Sequence, residues 1–243
     1  MSVSTRVDRA DWLDFAGTLA PRSIDLLYAD PPFNTGATKR GRAGAYGDSF
    51  GSAAAHVEWL RERLAATLPA LKPTANLLLH VDWRSSHRVR VMLDEVLGED
   101  RFVNHLVWSY GLGGSSPRRF ARKHDDILFY CVDPKRYYFD PPMVPATSAR
   151  MKGLDKKATD VLDIPSINNM AKERAGWPTQ KPLALLDMLV RACCPVGGTV
   201  LDPCCGSGTT LVAAAAGGRT AVGCDLSADA VRLAKRRVKE CLR

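Results

Sequence analysis

The chain has 243 residues, 46% hydrophobic and 25% charged, a balance that suits one large α/β domain with a modest insert and argues against global disorder. A formal charge of +8 points toward a polyanionic partner, nucleic acid first, and no apolar run is long enough to cross a bilayer. The seven cysteines are odd in number and form no CxxC pair, so they read as reduced, mostly buried thiols of a cytoplasmic protein, with neither a zinc site nor a disulfide framework.

The N-terminal MSVSTRVDRADW has no apolar core region and does not read as a signal peptide. ADWLDFAGTLAP reads as a strand end followed by a short helix, and SIDLLYA (23–29) as a buried strand. Residues 34–52 are rich in Gly, Ser and basic residues, the composition of a mobile loop. The periodicity then predicts a helix ending at Pro73, a strand over NLLLHVD (76–82), and a helix closed by Gly98. RFVNHLVWSY and DDILFYCVD are two further strands flanking GLGGSSPRRFARKH (111–124). Residues 134–176 have the weakest periodicity and read as a small, irregular recognition insert. PLALLDMLVRACC (helix), GGTVLD (strand), SGTTLVAAAAGG (helix), RTAVGCD (strand) and a final helix N-capped by Ser227 complete the chain. Strands alternating with helices predict an α/β fold with a doubly wound, Rossmann-like parallel sheet.

Two strand ends carry chemistry. YADPPFNTG (28–36) ends a strand on an acid, two prolines and an aromatic ring. Neither proline can donate to a sheet ladder, so the chain leaves the sheet there in a stiff path, exposing the Asp30 carboxylate and nearby carbonyls where open α/β sheets bind ligands. LDPCCGSGTT (201–210) joins a strand to a helix. Gly206 and Gly208 permit a tight turn and close backbone approach, and the helix start offers free N–H groups. The following strand ends in Asp225, placed to accept hydrogen bonds from ribose hydroxyls. No GK[ST] follows, which excludes a triphosphate loop. DPPM (140–143) lacks both the preceding strand and the aromatic, and reads as a loop.

Together these stretches resemble the DNA amino-methyltransferases that use S-adenosylmethionine. DPPF at 30–33 is similar to their catalytic motif and LDPCCGSGTT to their cofactor motif, with Cys204 where the family usually carries Phe or another large residue. WPTQKPLALL (177–186), the stretch 80–108 and RRFARKHDDILFY (118–130) also resemble the family. The order of the motifs, catalytic first and cofactor last, is that of the circularly permuted beta class. The resemblance implies a methyltransferase sheet with a small target-recognition insert, S-adenosylmethionine as cofactor and double-stranded DNA as substrate. Asp11, Thr179 and Lys181 join the cofactor site by resemblance, beside Asp202, Pro203, Cys204, Gly206, Ser207, Gly208, Thr209, Thr210 and Asp225.

The implied chemistry is methylation of an exocyclic amine. Asp30 and the Pro31 carbonyl would each accept one N–H, with Pro32 stiffening the turn and Phe33 stacking on a base flipped out of the duplex. Arg118, Arg119, Arg122 and Lys123, with Lys39, Arg40 and Arg42 in the earlier loop, are the expected phosphate contacts. Asp at position 30 favours adenine N6. Cytosine N4, an RNA amino-methyltransferase and a non-catalytic DNA-binding subunit stay open as alternatives, as do a homodimer and a separate specificity or restriction partner.

Overall fold

The computed structural model describes residues 3–111, 115–168 and 170–243. Its strands are β1 (Thr5–Arg9), β2 (Ile24–Ala29), β3 (Ala37–Gly41), β4 (Gly44–Asp48), β5 (Leu71–Val81), β6 (Phe102–Ser109), β7 (His124–Cys131), β8 (Met143–Pro145), β9 (Asp155–Lys157), β10 (Val161–Asp163), β11 (Thr199–Asp202) and β12 (Thr220–Asp225). The helices are α1 (Trp12–Ala16), α2 (Ala53–Thr67), α3 (Ser86–Leu97), α4 (Leu183–Cys193), α5 (Thr209–Ala216) and α6 (Ala228–Cys241).

β2 is buried at every position, as its mainly apolar run requires of a strand covered on both faces, and its one charged residue, Asp25, accepts from Lys72 Nζ and Thr199 N. It lies inside an eight-stranded sheet of order β1-β12-β11-β2-β5-β7-β6-β10. The sheet is parallel except for β7, which runs antiparallel to both β5 and β6. Strand alternation divides the core in two. Leu26, Tyr28 and Leu78 pack with α4, α5 and α6, whereas Leu27, Ala29, Leu77 and Leu79 pack with α1, α2 and α3. Helices on both faces make the sheet doubly wound.

Two buried polar side chains tie distant segments to the core. The Asn76 amide donates to the carbonyls of Tyr138 (2.7 Å) and Cys193 (2.8 Å), tying the start of the insert to the sheet. Buried Arg219 donates to the carbonyls of Cys194 and Gly217, the residues that close α4 and α5.

Three segments differ from the sequence reading. α2 ends at Thr67, and Pro73 lies inside β5. It falls where the β2–β5 register shifts, a position at which a strand tolerates a missing N–H. β1 is an edge strand with one buried residue, Val7, so it carries no alternation to detect. Residues 34–52 contain the antiparallel hairpin β3–β4, turning at Gly41–Gly44. Both of its strands are largely exposed, which leaves an apolar period no face to mark. The recognition segment holds only short pieces, the β8–β9 pair and β10, which adds to the sheet edge beside β6.

Candidate active site

Three acids end three neighbouring strands. Asp30 follows β2, Asp202 ends β11 and Asp225 ends β12, with Leu27 opposite Leu201 and Asp202 opposite Gly223. From β11 the chain crosses to β12 on one side, and from β2 it crosses to β5 on the other. The crevice between such diverging connections is where open α/β sheets bind ligands. Here it is a cavity of about 430 Å³.

The loop after β11 forms its floor. Gly206 has φ 49°, and a Cβ there would meet Trp177 Nε1 at 2.9 Å. Gly208 has φ 76°, and a Cβ would sit 2.7 Å from Ala234 Cβ, so this glycine seats α5 against α6. Asp225 holds the loop by accepting from Gly206 N (2.9 Å) and Ser227 N (2.8 Å), which leaves its carboxylate further lone pairs for a ligand. Asp202 accepts from Cys204 N (3.1 Å). Burial, opposed by hydrogen bonds and reinforced by the charges of Asp30 and Asp225, pushes Asp202 up to about 7. Burial and the neighbouring carboxylates also push the Cys204 and Cys205 thiols up, which disfavours the thiolate a nucleophile needs.

One end of the cavity is aromatic. Trp12 meets Trp59 edge-on at 6.0 Å, and Arg63 lies 4.2 Å over the Trp59 ring while donating to both Asp11 oxygens (2.9 and 3.0 Å). The roof comes from the hairpin. Tyr46 stacks on Trp177 at 6.4 Å, and its hydroxyl is 3.1 Å from Thr179 Oγ1. Thr179 has φ 58°, strain for a β-branched residue that this docking holds in place.

At the other end, Lys181 is buried and its ammonium pairs with Asp30 Oδ2. The same Nζ lies 5.3 Å from the Phe33 ring centroid. Phe33 stacks on His80 at 5.8 Å. The His80 ring is fully buried, with Nδ1 2.9 Å from the Tyr28 hydroxyl and Nε2 3.4 Å from Asp125 Oδ2.

The cavity brings together Asp30, Pro32, Asp11, Thr179, Lys181, Asp202, Pro203, Cys204, Gly206, Ser207, Thr209, Thr210 and Asp225. Pro31, Phe33 and Gly208 lie outside its lining. Sequence reasoning missed Tyr28, Trp12, Trp59, Tyr46, Gln180 and Leu226, and assigned no role to Trp177. Strand parity was the available signal for Tyr28, two residues before Asp30 on the same face. The cations fall in two segments that both leave the carboxyl edge of the sheet: Lys39 and Arg40 on β3 with Arg42 at its turn, and Arg118, Arg119, Arg122 and Lys123 before β7.

Residues 24–236 match the family model of the N6/N4 type, DNA methylase. The chain belongs to the N6/N4 DNA methylase family. This methylase is 27% identical to the DNA adenine methyltransferase YhdJ of Escherichia coli, over 89% of this chain and 76% of that protein. Its fold is shared with the PvuII cytosine-N4-specific DNA methyltransferase (TM-score 0.74, 16% identity, 98% of this chain and 87% of that one). It is also shared with M1.HpyAVI, solved as a complex with S-adenosylmethionine (TM-score 0.68, 19% identity, 96% and 98%). Among the described residues of this DNA methylase, no cluster of His, Cys, Asp and Glu could hold a metal, and no helix is long and apolar enough to cross a membrane.

Proposed function

We propose that this DNA methylase transfers a methyl group from S-adenosylmethionine to N6 of an adenine flipped out of double-stranded DNA. The observation that carries the reading is the place of Asp30. It stands at the end of β2, on the wall of an acid-lined cavity shared with Asp202 and Asp225.

That cavity suits the donor. S-adenosylmethionine supplies a methyl group on a cationic sulfonium and leaves as a neutral thioether. Asp225 and, once ionised, Asp202 face the same volume as Asp30, whose charge Lys181 offsets, and their negative charge favours the cation over the neutral product. The Gly206–Gly208 loop gives backbone access, Asp225 has lone pairs left for ribose hydroxyls, and the Trp12–Trp59 end offers an apolar surface for a purine ring.

The amine to be methylated is a poor nucleophile because its lone pair is delocalised into the ring. Asp30 accepts one N–H and the Pro31 carbonyl the other, which favours a more tetrahedral nitrogen with a free lone pair. The nitrogen takes the methyl carbon as the carbon–sulfur electron pair stays with sulfur, and it then gives up one proton to water. No protein nucleophile is required, in keeping with the protonated thiols nearby. Phe33, outside the cavity and stacked on His80, would stack on the base in this reading. Asp rather than Ser at position 30 and the likeness to an adenine methyltransferase support adenine.

The test is methyl transfer from labelled S-adenosylmethionine to unmethylated genomic DNA, followed by nucleoside analysis, with Asp30→Ala alongside. Labelled N6-methyladenine, lost in the variant, is the expected result. Label in N4-methylcytosine would change the base and keep the mechanism. Label in RNA alone, or none despite cofactor binding, would overturn the reading.

A further inference from the structure

The carboxyl edge of the sheet carries a second constellation, away from the cavity. β5 and β6 end there and β7 begins there, with Val81 opposite Asp126 and Ser109 opposite His124. Trp83, just past β5, is 40% exposed, and two guanidinium groups lie over its ring, Arg122 at 3.4 Å and Arg84 at 4.8 Å from the centroid. A cation over an indole face is attracted by the ring quadrupole, which ties the root of this loop to Trp83. Two residues before Arg122 stands Phe120. It is 97% exposed, more than any other large apolar side chain among the described residues.

The surroundings of Phe120 are cationic. Arg118 and Arg119 precede it, and the charges of Arg119 and Arg84 oppose that of Arg122 more than the nearby Asp82 carboxylate supports it. Arg84 has a carboxylate partner, Asp82; among the described residues none is found for Arg118, Arg119 or Arg122. A bare aromatic ring held in water beside an excess of positive charge is unfavourable for the isolated protein. It becomes favourable against a partner offering phosphates at the rim and a flat apolar surface between them. The base stack of a nucleic-acid duplex has that form.

We propose that Phe120 is a wedge, inserted into the duplex at the step that the extruded base vacates. Arg118 and Arg119 hold the flanking phosphates, and the Arg122–Trp83–Arg84 stack holds the loop from behind. This rests on the base-flipping reading above. The Phe120 ring replaces part of the stacking that extrusion removes, so it speeds attack on paired targets and contributes little where the target is already unpaired.

Two measurements on the full chain test this. In the first, a relaxed circular plasmid is closed by ligase with protein bound, and the topoisomers are resolved. Wild-type protein and Phe120→Leu are expected to unwind the DNA; Phe120→Ala, compared at equal occupancy, is not. In the second, methyl transfer is followed on a duplex carrying a mapped target and on the same duplex with the target base mismatched. Phe120→Ala is expected to lose about tenfold in kcat/KM on the paired target and to recover to near wild type on the mismatch. Unwinding by Phe120→Ala equal to wild type, or equal losses on both duplexes, overturns the wedge. Phe120-dependent unwinding by a protein that labels no base would leave the wedge standing and overturn methyl transfer.

Discussion

The ammonium of Lys181 pairs with the carboxylate of Asp30, although the two residues leave different strands' neighbourhoods and lie far apart in the chain. Both are largely buried, so each is the other's main compensation for lost hydration. The resemblance places Lys181 among the cofactor residues; the geometry joins it to the group that would receive the amine.

Lys181→Met therefore separates two roles. If the lysine orients Asp30, kcat falls about 100-fold while the dissociation constant for S-adenosylmethionine changes little, because misplacing a positioned group by an ångström has an effect of that size. Single-turnover kinetics and calorimetric titration of the donor check it. A loss confined to donor affinity would return Lys181 to the cofactor site.

Asp202 sets a pH dependence. Burial first, then the charges of Asp30 and Asp225, raise it to about 7. The folded protein thus holds a proton that the unfolded chain releases near pH 4. Between about pH 4 and 7 the folded state binds more protons than the unfolded one, so stability without ligand falls as pH rises through that window and stays lower above it. A cationic donor favours ionised Asp202, so its affinity rises with pH over the same range. Thermal unfolding with and without S-adenosylmethionine from pH 5 to 8 should show the ligand-induced shift growing with pH, and Asp202→Asn should flatten it.

His80 links the sheet interior to Phe33. His80→Leu leaves the Tyr28 hydroxyl and an Asp125 oxygen without their partner and removes the ring beneath Phe33. The expected cost is about 1–3 kcal/mol in denaturant titration, the price of a buried polar group left unsatisfied. His80→Gln, which keeps a donor and an acceptor, should recover part of the stability. It should not recover KM for DNA, because it lacks the ring.

Gly208→Ala tests the cofactor loop without touching its acids. The φ of 76° and the 2.7 Å approach to Ala234 both oppose a side chain. A loss of about 1–3 kcal/mol is expected from the strained backbone alone, with a matching fall in Tm.

Much of the fold is legible where one physical requirement dominates. A strand buried on both faces must be mainly apolar, and IDLLYA and NLLLHV are, their few polar members (Asp25, Asn76, His80) each held by a partner. Helices announce their ends where the backbone demands a special residue, as at Gly98 (φ 108°) and the Ser227 cap, whose side chain accepts from Ala230 N. Exposed elements escape this reading. β1 and the β3–β4 hairpin are held by ladder bonds and by docking rather than by an apolar face, and Pro73 marks a register shift that only the partner strand reveals.

The residues themselves determined the chemistry on offer: an acid and two prolines at one strand end, paired glycines at another, and an acid closing a third. These are local demands of backbone geometry and of strand-end polarity, so short stretches carry them. The tertiary structure decided which groups meet. It placed Lys181 on Asp30, His80 behind Phe33, Trp12 and Trp59 at one end of the cavity, and Tyr46 over Trp177 at its roof. It also left Phe120 bare among cations on the same edge. Those pairings join segments distant in the chain, and strand order and side-chain packing bring them together, which no local pattern encodes.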